Sequence, residues 1–285
     1  MIKYNPRHWV IFLVQSYSRD VMSKLLPGLI MVALFTTMIT YGFHRFHVDY
    51  ESNTAVHSIL GIVLGFFLVF RTNSSYDRWW EGRKIWGALV NNCRNIALKT
   101  TAMVPKEHPA YMRIKLSLCY FPAALKEHLR NGVSQTQIDK YKEGLDIDDM
   151  VHIPNAIAKG IFKDVNNLKR EGIIDAEQYR VLDSQIVALT DITGMCERIK
   201  NTPLPFSYVM FMKKFIFTYI ITLPFAFVTH FGYWTIAIAV LLLYILLSIE
   251  LLAEEIEDPF GNDINDLPTD ELSIKIANSV KEIML

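Results

Sequence analysis

Few of the residue types that do chemistry fall in this sequence at spacings that chemistry uses. There is no Gly-rich phosphate loop, no nucleophile elbow and no CxxC pair, so no enzyme is expected. His44 and His47 are spaced to share a metal across one helical turn, but they sit in a short loop without a clear third ligand. A solvated or interfacial role is the better reading. Cys93, Cys119 and Cys196 are odd in number and widely spaced, which speaks against a disulfide framework or zinc site and for small buried hydrophobes. Asp77 with Arg78 and Arg83, or Glu81 with Lys84, read as ion pairs rather than catalytic groups. The spacing with the clearest physical meaning is apolar. Ile62, Phe66 and Phe70 fall four apart and form one row on a helix face. Gly61 and Gly65 form a second row beside it, the small-xxx-small spacing that lets helices approach closely in a membrane.

The row lies within Ser58–Arg71, apolar almost throughout, which stops at the charged and aromatic segment Thr72-Asn73-Ser74-Ser75-Tyr76-Asp77-Arg78-Trp79-Trp80. Over the 285 residues, 51% are hydrophobic and 20% charged, and the mean hydropathy is +0.21. That mixture fits a membrane part joined to a sizeable water-facing part. Lys+Arg and Asp+Glu are equal at 29, so no global charge recruits nucleic acid. Residues 1–9 lack the pattern of a cleaved secretory signal, and within residues 1–24 the apolar run Trp9–Val14 is too short to span, which suits an interfacial or packed helix.

Four apolar stretches are expected to span: residues 25–43, 54–71, 208–231 and 234–252. Pro27, near the start of the first, is tolerated where helical N–H groups lack partners. Between the second and third spans, residues 72–205 form a long water-facing region. There Trp79, Ile85, Trp86, Leu89, Val90, Cys93 and Ile96 recur mostly every three or four residues, with breaks near 104–109, 132–134 and 145–154. The fourth span ends in Glu250, Glu254, Glu255, Glu257 and Asp258, and residues 253–285 read as an acidic turn followed by an amphipathic helix. The fold class is therefore all-α, with four transmembrane helices and a large helical water-facing region. Nearly all Lys and Arg lie in residues 1–24 and the central region, which places both termini and that region in the cytoplasm.

The run Arg71-Thr72-Asn73-Ser74-Ser75-Tyr76-Asp77-Arg78-Trp79-Trp80-Glu81-Gly82-Arg83-Lys84-Ile85-Trp86-Gly87 resembles the signature of bacterial bestrophin homologues. Leu64-Gly65-Phe66 and Asp258-Pro259-Phe260-Gly261-Asn262-Asp263 add to the likeness, and the order of parts agrees over nearly the whole chain. The resemblance implies a homopentameric ion channel in a bacterial inner membrane, with one axial pore. Its second span would line an apolar neck at Ile62, Phe66 and Phe70, a row about 12 Å long. Stacked apolar rings gate by dewetting, because they offer an ion nothing in place of its hydration; ordinary helix packing is the alternative for these residues. The resemblance also implies monovalent cations such as Na⁺ as the permeant ions, with chloride as the alternative. A membrane-anchored scaffold or binding protein is the reading from another class.

Two further sites follow from the resemblance. In animal members a calcium clasp surrounds the Pro-Phe-Gly turn, and the matching positions are Glu255, Asp258, Asp263 and Asp266, which retain the oxygen that Ca²⁺ requires. The animal run of acids is interrupted here, and bacterial members need not depend on calcium, so no cofactor is required. Asp266 alternatively caps the last helix, because it sits just before Leu267-Pro268. A second, cytosolic constriction belongs near residues 173–190, where Glu177, Arg180 and Asp183 are polar candidates.

Overall fold

The computed structural model describes residues 16–48, 54–145 and 152–285; the stretch Trp9–Val14 lies outside them. Among the described residues all regular structure is helical, in nine α-helices: α1 (Ser16–Arg45), α2 (Thr54–Met103), α3 (Pro109–Leu129), α4 (Gln135–Gly144), α5 (Ile153–Arg170), α6 (Ala176–Asn201), α7 (Phe206–Phe231), α8 (Trp234–Glu257) and α9 (Thr269–Ile283). Four helical stretches are long and apolar enough to cross a membrane. They are carried by α1, α2, α7 and α8. Pro27 stands inside α1, because that helix begins at Ser16 and not at the first apolar residue; the expectation that Pro27 falls in an unpartnered first turn is thereby corrected. α2 does not stop where its apolar run stops. It continues through the charged segment as one helix of 50 residues.

The chain divides into two compact units, Ile2–Asp77 with Leu204–Glu257, and Arg78–Pro203 with Asp258–Leu285. In the first, the span unit, Leu25 and Leu29 of α1 pack with Leu64 and Leu68 of α2, Met212, Ile216, Ile220 and Leu223 of α7, and Ala239 and Leu243 of α8. In the second, the insert unit, a larger core joins Trp86, Leu89, Cys93 and Ile96 of α2 to Ile114, Leu118, Phe121 and Leu125 of α3, and to Ile157 and Ile161 of α5. Ile186, Leu189 and Ile192 of α6 and Ile276 and Val280 of α9 complete it. These are the three-to-four spacings of amphipathic helices, each burying one stripe.

The insert helices are punctuated by polar caps. α6 opens on a capping box, in which Asp175 accepts the Gln178 N–H at 2.7 Å and Gln178 Oε1 accepts the Asp175 N–H at 3.0 Å. α3 and α5 are capped instead by histidines. His108 Nδ1 accepts the Ala110 N–H and His152 Nδ1 accepts the Asn155 N–H, both at 3.2 Å. Pro109 and Pro154 follow in the first turns, where a missing N–H does no harm.

Candidate pore-lining site

In α2 two opposite faces are apolar. Leu64 and Leu68 are 1% and 3% exposed and belong to the span unit's core. A residue two positions on is turned by roughly 200° at 3.6 residues per turn, so Phe66 points away from both. Ile62, Phe66 and Phe70 are accordingly 61%, 64% and 63% exposed. Among the described residues no packing accounts for these three side chains. The glycine row behaves unevenly. A Cβ at Gly61 would fall 2.8 Å from Tyr219 Oη on α7, so close approach there requires glycine, whereas a Cβ at Gly65 meets nothing within 4 Å. Tyr219 also stacks on His57, one turn before Gly61 on α2, with ring centroids 4.2 Å apart and nearly parallel planes.

The row ends at a buried charge. Arg71 is 0% exposed, and its Nη1 donates to Ser75 Oγ at 2.8 Å and pairs with Glu257 Oε2 at 2.8 Å. Its Nε lies 3.6 Å from Glu250 Oε1. Glu257 in turn accepts the Leu204 N–H through Oε1 at 2.8 Å. The triad ties α2 to the end of α8. Sequence reading took Arg71 as the edge of a span and Glu250 and Glu257 as parts of an acidic cluster. The pairing is illegible in the sequence because its partners are remote in the chain, and the one signal is an arginine that ends the apolar run directly after Phe70.

Further along α2, in the insert unit, the ion pairs differ from those expected. Arg78 donates to the carbonyls of Ile199 and Thr202, both at 2.5 Å, and Glu81 pairs with Arg198 of α6 at 2.5 Å. Trp79 Nε1 donates to the Asn265 carbonyl at 2.9 Å, and a Cβ at Gly82 would stand 3.2 Å from Pro259, Phe260 and Leu267. The acidic turn is thus seated on α2. Arg130 also donates to the carbonyls of Phe260 and Gly261.

Of the clasp positions, Glu255 lies in the span unit, 3.8 Å from Lys24. The other three lie in the insert unit. Asp258 pairs with Lys200 and accepts the Phe260 N–H, and the Asp263 N–H donates to Asp266 Oδ2 at 2.6 Å. Asp266 does not cap α9, whose N-cap position is Pro268 without a side-chain cap; its carboxylate closes the turn instead. Asp258, Asp263 and Asp266 are not gathered into one ligand group, and the Lys200 ammonium holds the place a cation would take on Asp258. Among the described residues these side chains alone do not assemble the six to eight oxygens that Ca²⁺ takes.

On α6, Glu177 and Arg180 are exposed and face each other at 3.4 Å, and Asp183 is half-buried. The same outer stripe carries two apolar residues that sequence reading passed over, Val181 and Val187, 40% and 41% exposed. The three cysteines are buried and free. Burial pushes the thiols of Cys93 and Cys196 up to about 12, as suits hydrophobic fillers. His44 stacks on Tyr233 at 4.8 Å.

Comparison with known proteins sets this geometry in a family. The family profile described as bacterial/fungal bestrophin protein matches residues 1–282. A voltage-dependent anion channel-forming protein of Mesorhizobium japonicum is 30% identical over 291 residues, covering 100% of this chain and 92% of that protein. One of the same description from Nostoc is 31% identical over 284 residues, covering 97% and 92%. A crystal structure of a bacterial bestrophin homologue from Klebsiella pneumoniae superposes with a TM-score of 0.83 at 28% identity, covering 91% of this chain and 98% of that one. The chain belongs to the bacterial and fungal bestrophin family.

Proposed function

We propose that the chain assembles as a homopentamer around one axial pore and conducts small monovalent ions through a neck lined by Ile62, Phe66 and Phe70. The observation that carries this reading is the face of α2 turned away from its own core, where three bulky apolar side chains one turn apart stand more than three-fifths exposed. Five such rows would stack as three apolar rings, which hold water poorly and open when they widen or wet. The neck itself does not choose the sign of the ion. The relatives are named as anion channels, which favours anions such as chloride over the Na⁺ expected from the sequence. A second ring at Glu177, Arg180 and Asp183 would add little selectivity, because Glu177 and Arg180 neutralise each other. In this reading the four spans lie in a bacterial inner membrane, the termini and insert unit face the cytoplasm, and no calcium is required.

Planar-bilayer recording of the purified protein tests the proposal. A reversal potential that follows the chloride gradient is expected, and one that follows sodium overturns the anion assignment. Phe66→Ala and Phe70→Ala should each raise open probability or conductance, because wider rings wet more easily. Currents unchanged across Ile62→Ala, Phe66→Ala and Phe70→Ala would mean that these side chains pack between helices. Absence of current from wild type and from the triple variant leaves a membrane-anchored scaffold.

A further inference from the structure

Within the insert unit, three side chains with no part in the neck converge from three helices. His128 stands in the last turn of α3, His152 at the N-cap of α5, and Glu197 near the end of α6. Both histidine Nε2 atoms lie 2.7 Å from the same oxygen, Glu197 Oε1. The rings are 4.3 Å apart between centroids and inclined by 44°. All three ligand atoms fall within 4.8 Å of one another, and the side chains keep 28% to 30% of their surface exposed, which leaves a path from solvent. Two imidazoles and one carboxylate are the donor set of three-ligand zinc sites, which keep a fourth position for water. We propose that His128, His152 and Glu197 bind a divalent transition-metal ion, Zn²⁺ by the softness of its ligands, and that the ion clamps α3, α5 and α6 together.

The geometry and the protons both bear on this. Around an ion at about 2.0–2.1 Å from each ligand, tetrahedral ligand atoms stand about 3.3 Å apart, so the carboxylate must recede from each ring by about 0.6 Å and the two Nε2 atoms must settle at that same spacing. Flexible glutamate at a partly exposed site can move that far. The protonation state is fixed on one ring. His152 Nδ1 accepts the Asn155 N–H, so its proton sits on Nε2 and points at Glu197. An ion takes the Nε2 lone pair. The ring stays neutral only if its proton moves from Nε2 to Nδ1, so the cap bond to Asn155 is given up, and protonation of the freed lone pair is what an ion competes with. Binding therefore competes with protons and weakens as pH falls.

The test uses the full-length protein, purified in detergent without a polyhistidine tag. Titration with Co²⁺ should give intense d–d absorption saturating at one ion per chain, and Zn²⁺ should abolish it. His128→Ala and Glu197→Gln should each weaken binding by at least the roughly 10- to 100-fold that even outer-shell changes cause. His152→Asn is the variant that guards against misfolding, because asparagine can still accept the Asn155 N–H as an N-cap while the metal ligand is lost. It should keep the wild-type unfolding temperature and lose Co²⁺ binding. No d–d absorption from wild type, or undiminished binding in folded His152→Asn and Glu197→Gln, overturns the site and leaves a hydrogen-bonded knot of three side chains.

Discussion

Arg71→Leu removes the one positive charge from the knot at the end of the apolar row, and its effect can be worked out from the distances. The guanidinium is fully buried, 2.8 Å from Glu257 and 3.6 Å from Glu250. At an effective dielectric near 20, a contact of about 4 Å is worth roughly 4 kcal/mol before desolvation is charged against it. Desolvation removes much of that gain, so the intact triad is only weakly stabilising. Loss of Arg71 is a different matter, because Glu250 and Glu257 then lose the buried cation they share. Breaking buried pairs in this way costs about 3–5 kcal/mol, the range expected for Arg71→Leu. At about 2–4 °C per kcal/mol the apparent unfolding temperature should fall by roughly 6–20 °C. Thermal unfolding in detergent, followed by tryptophan fluorescence, measures this. The triple change Arg71→Leu, Glu250→Gln, Glu257→Gln removes the stranded charges and should recover more than half of the loss. Arg71→Lys should fall between, since an ammonium lacks the fork that meets Glu257 through Nη1 and Glu250 through Nε together. If Arg71→Leu unfolds within a degree or two of wild type, or the triple variant is no better than the single, the buried-charge reasoning is wrong.

Three further expectations follow from the packing. Gly61→Ala drives a Cβ to 2.8 Å from Tyr219 Oη, a ring already pinned by His57. It should destabilise by about 1–3 kcal/mol, whereas Gly65→Ala, with open space around it, should not lower the unfolding temperature. Cys93 and Cys196, buried and with thiols raised to about 12, should resist maleimide in the native protein and react once denaturant is added. Burial raises the Asp270 carboxyl, but hydrogen bonds from Lys126 and Arg130 outweigh it and the net shift is downward from 3.8. Its stabilisation is therefore complete above that value and lost as pH falls through the lower folded-state value. The stability difference between wild type and Asp270→Asn should shrink below about pH 4 and stay constant above it.

What was legible in the sequence is what local spacing encodes. Uninterrupted apolar runs mark the spans, and the four-residue interval of Ile62, Phe66 and Phe70 marks a face. The same logic overlooked where helices begin and end. Hydropathy sees the apolar part of α1 and α2 and not their polar continuations, so Pro27 was misplaced and the 50-residue length of α2 was hidden. Pairings between remote residues were illegible for a deeper reason. Arg71 with Glu257, Glu81 with Arg198, and His128 with His152 and Glu197 are set by how helices dock, and no local pattern records that. Asp266 shows the same limit at short range. Its position before Leu267-Pro268 suits a cap, yet the turn folds back and gives its carboxylate to Asp263.

The exposed apolar row and the buried charge are better understood together than apart. In a helix apolar enough to span a membrane, apolar side chains are acceptable all round, so nothing in the hydrophobic effect alone fixes which face of α2 carries Phe66. Something polar must set the rotation. Arg71 follows Phe70 directly and is turned from it by about 100°. Rotating α2 by one residue would pull the guanidinium off Glu257 and Glu250 and leave three charges unmatched in an apolar setting, at a cost of several kcal/mol. Gly61 acts at the other end of the row, where only a residue without a side chain lets Tyr219 come close. These two points, ten residues apart on one helix, lock its azimuth. A charge knot and a glycine contact on the inner face thereby determine where three side chains on the outer face stand.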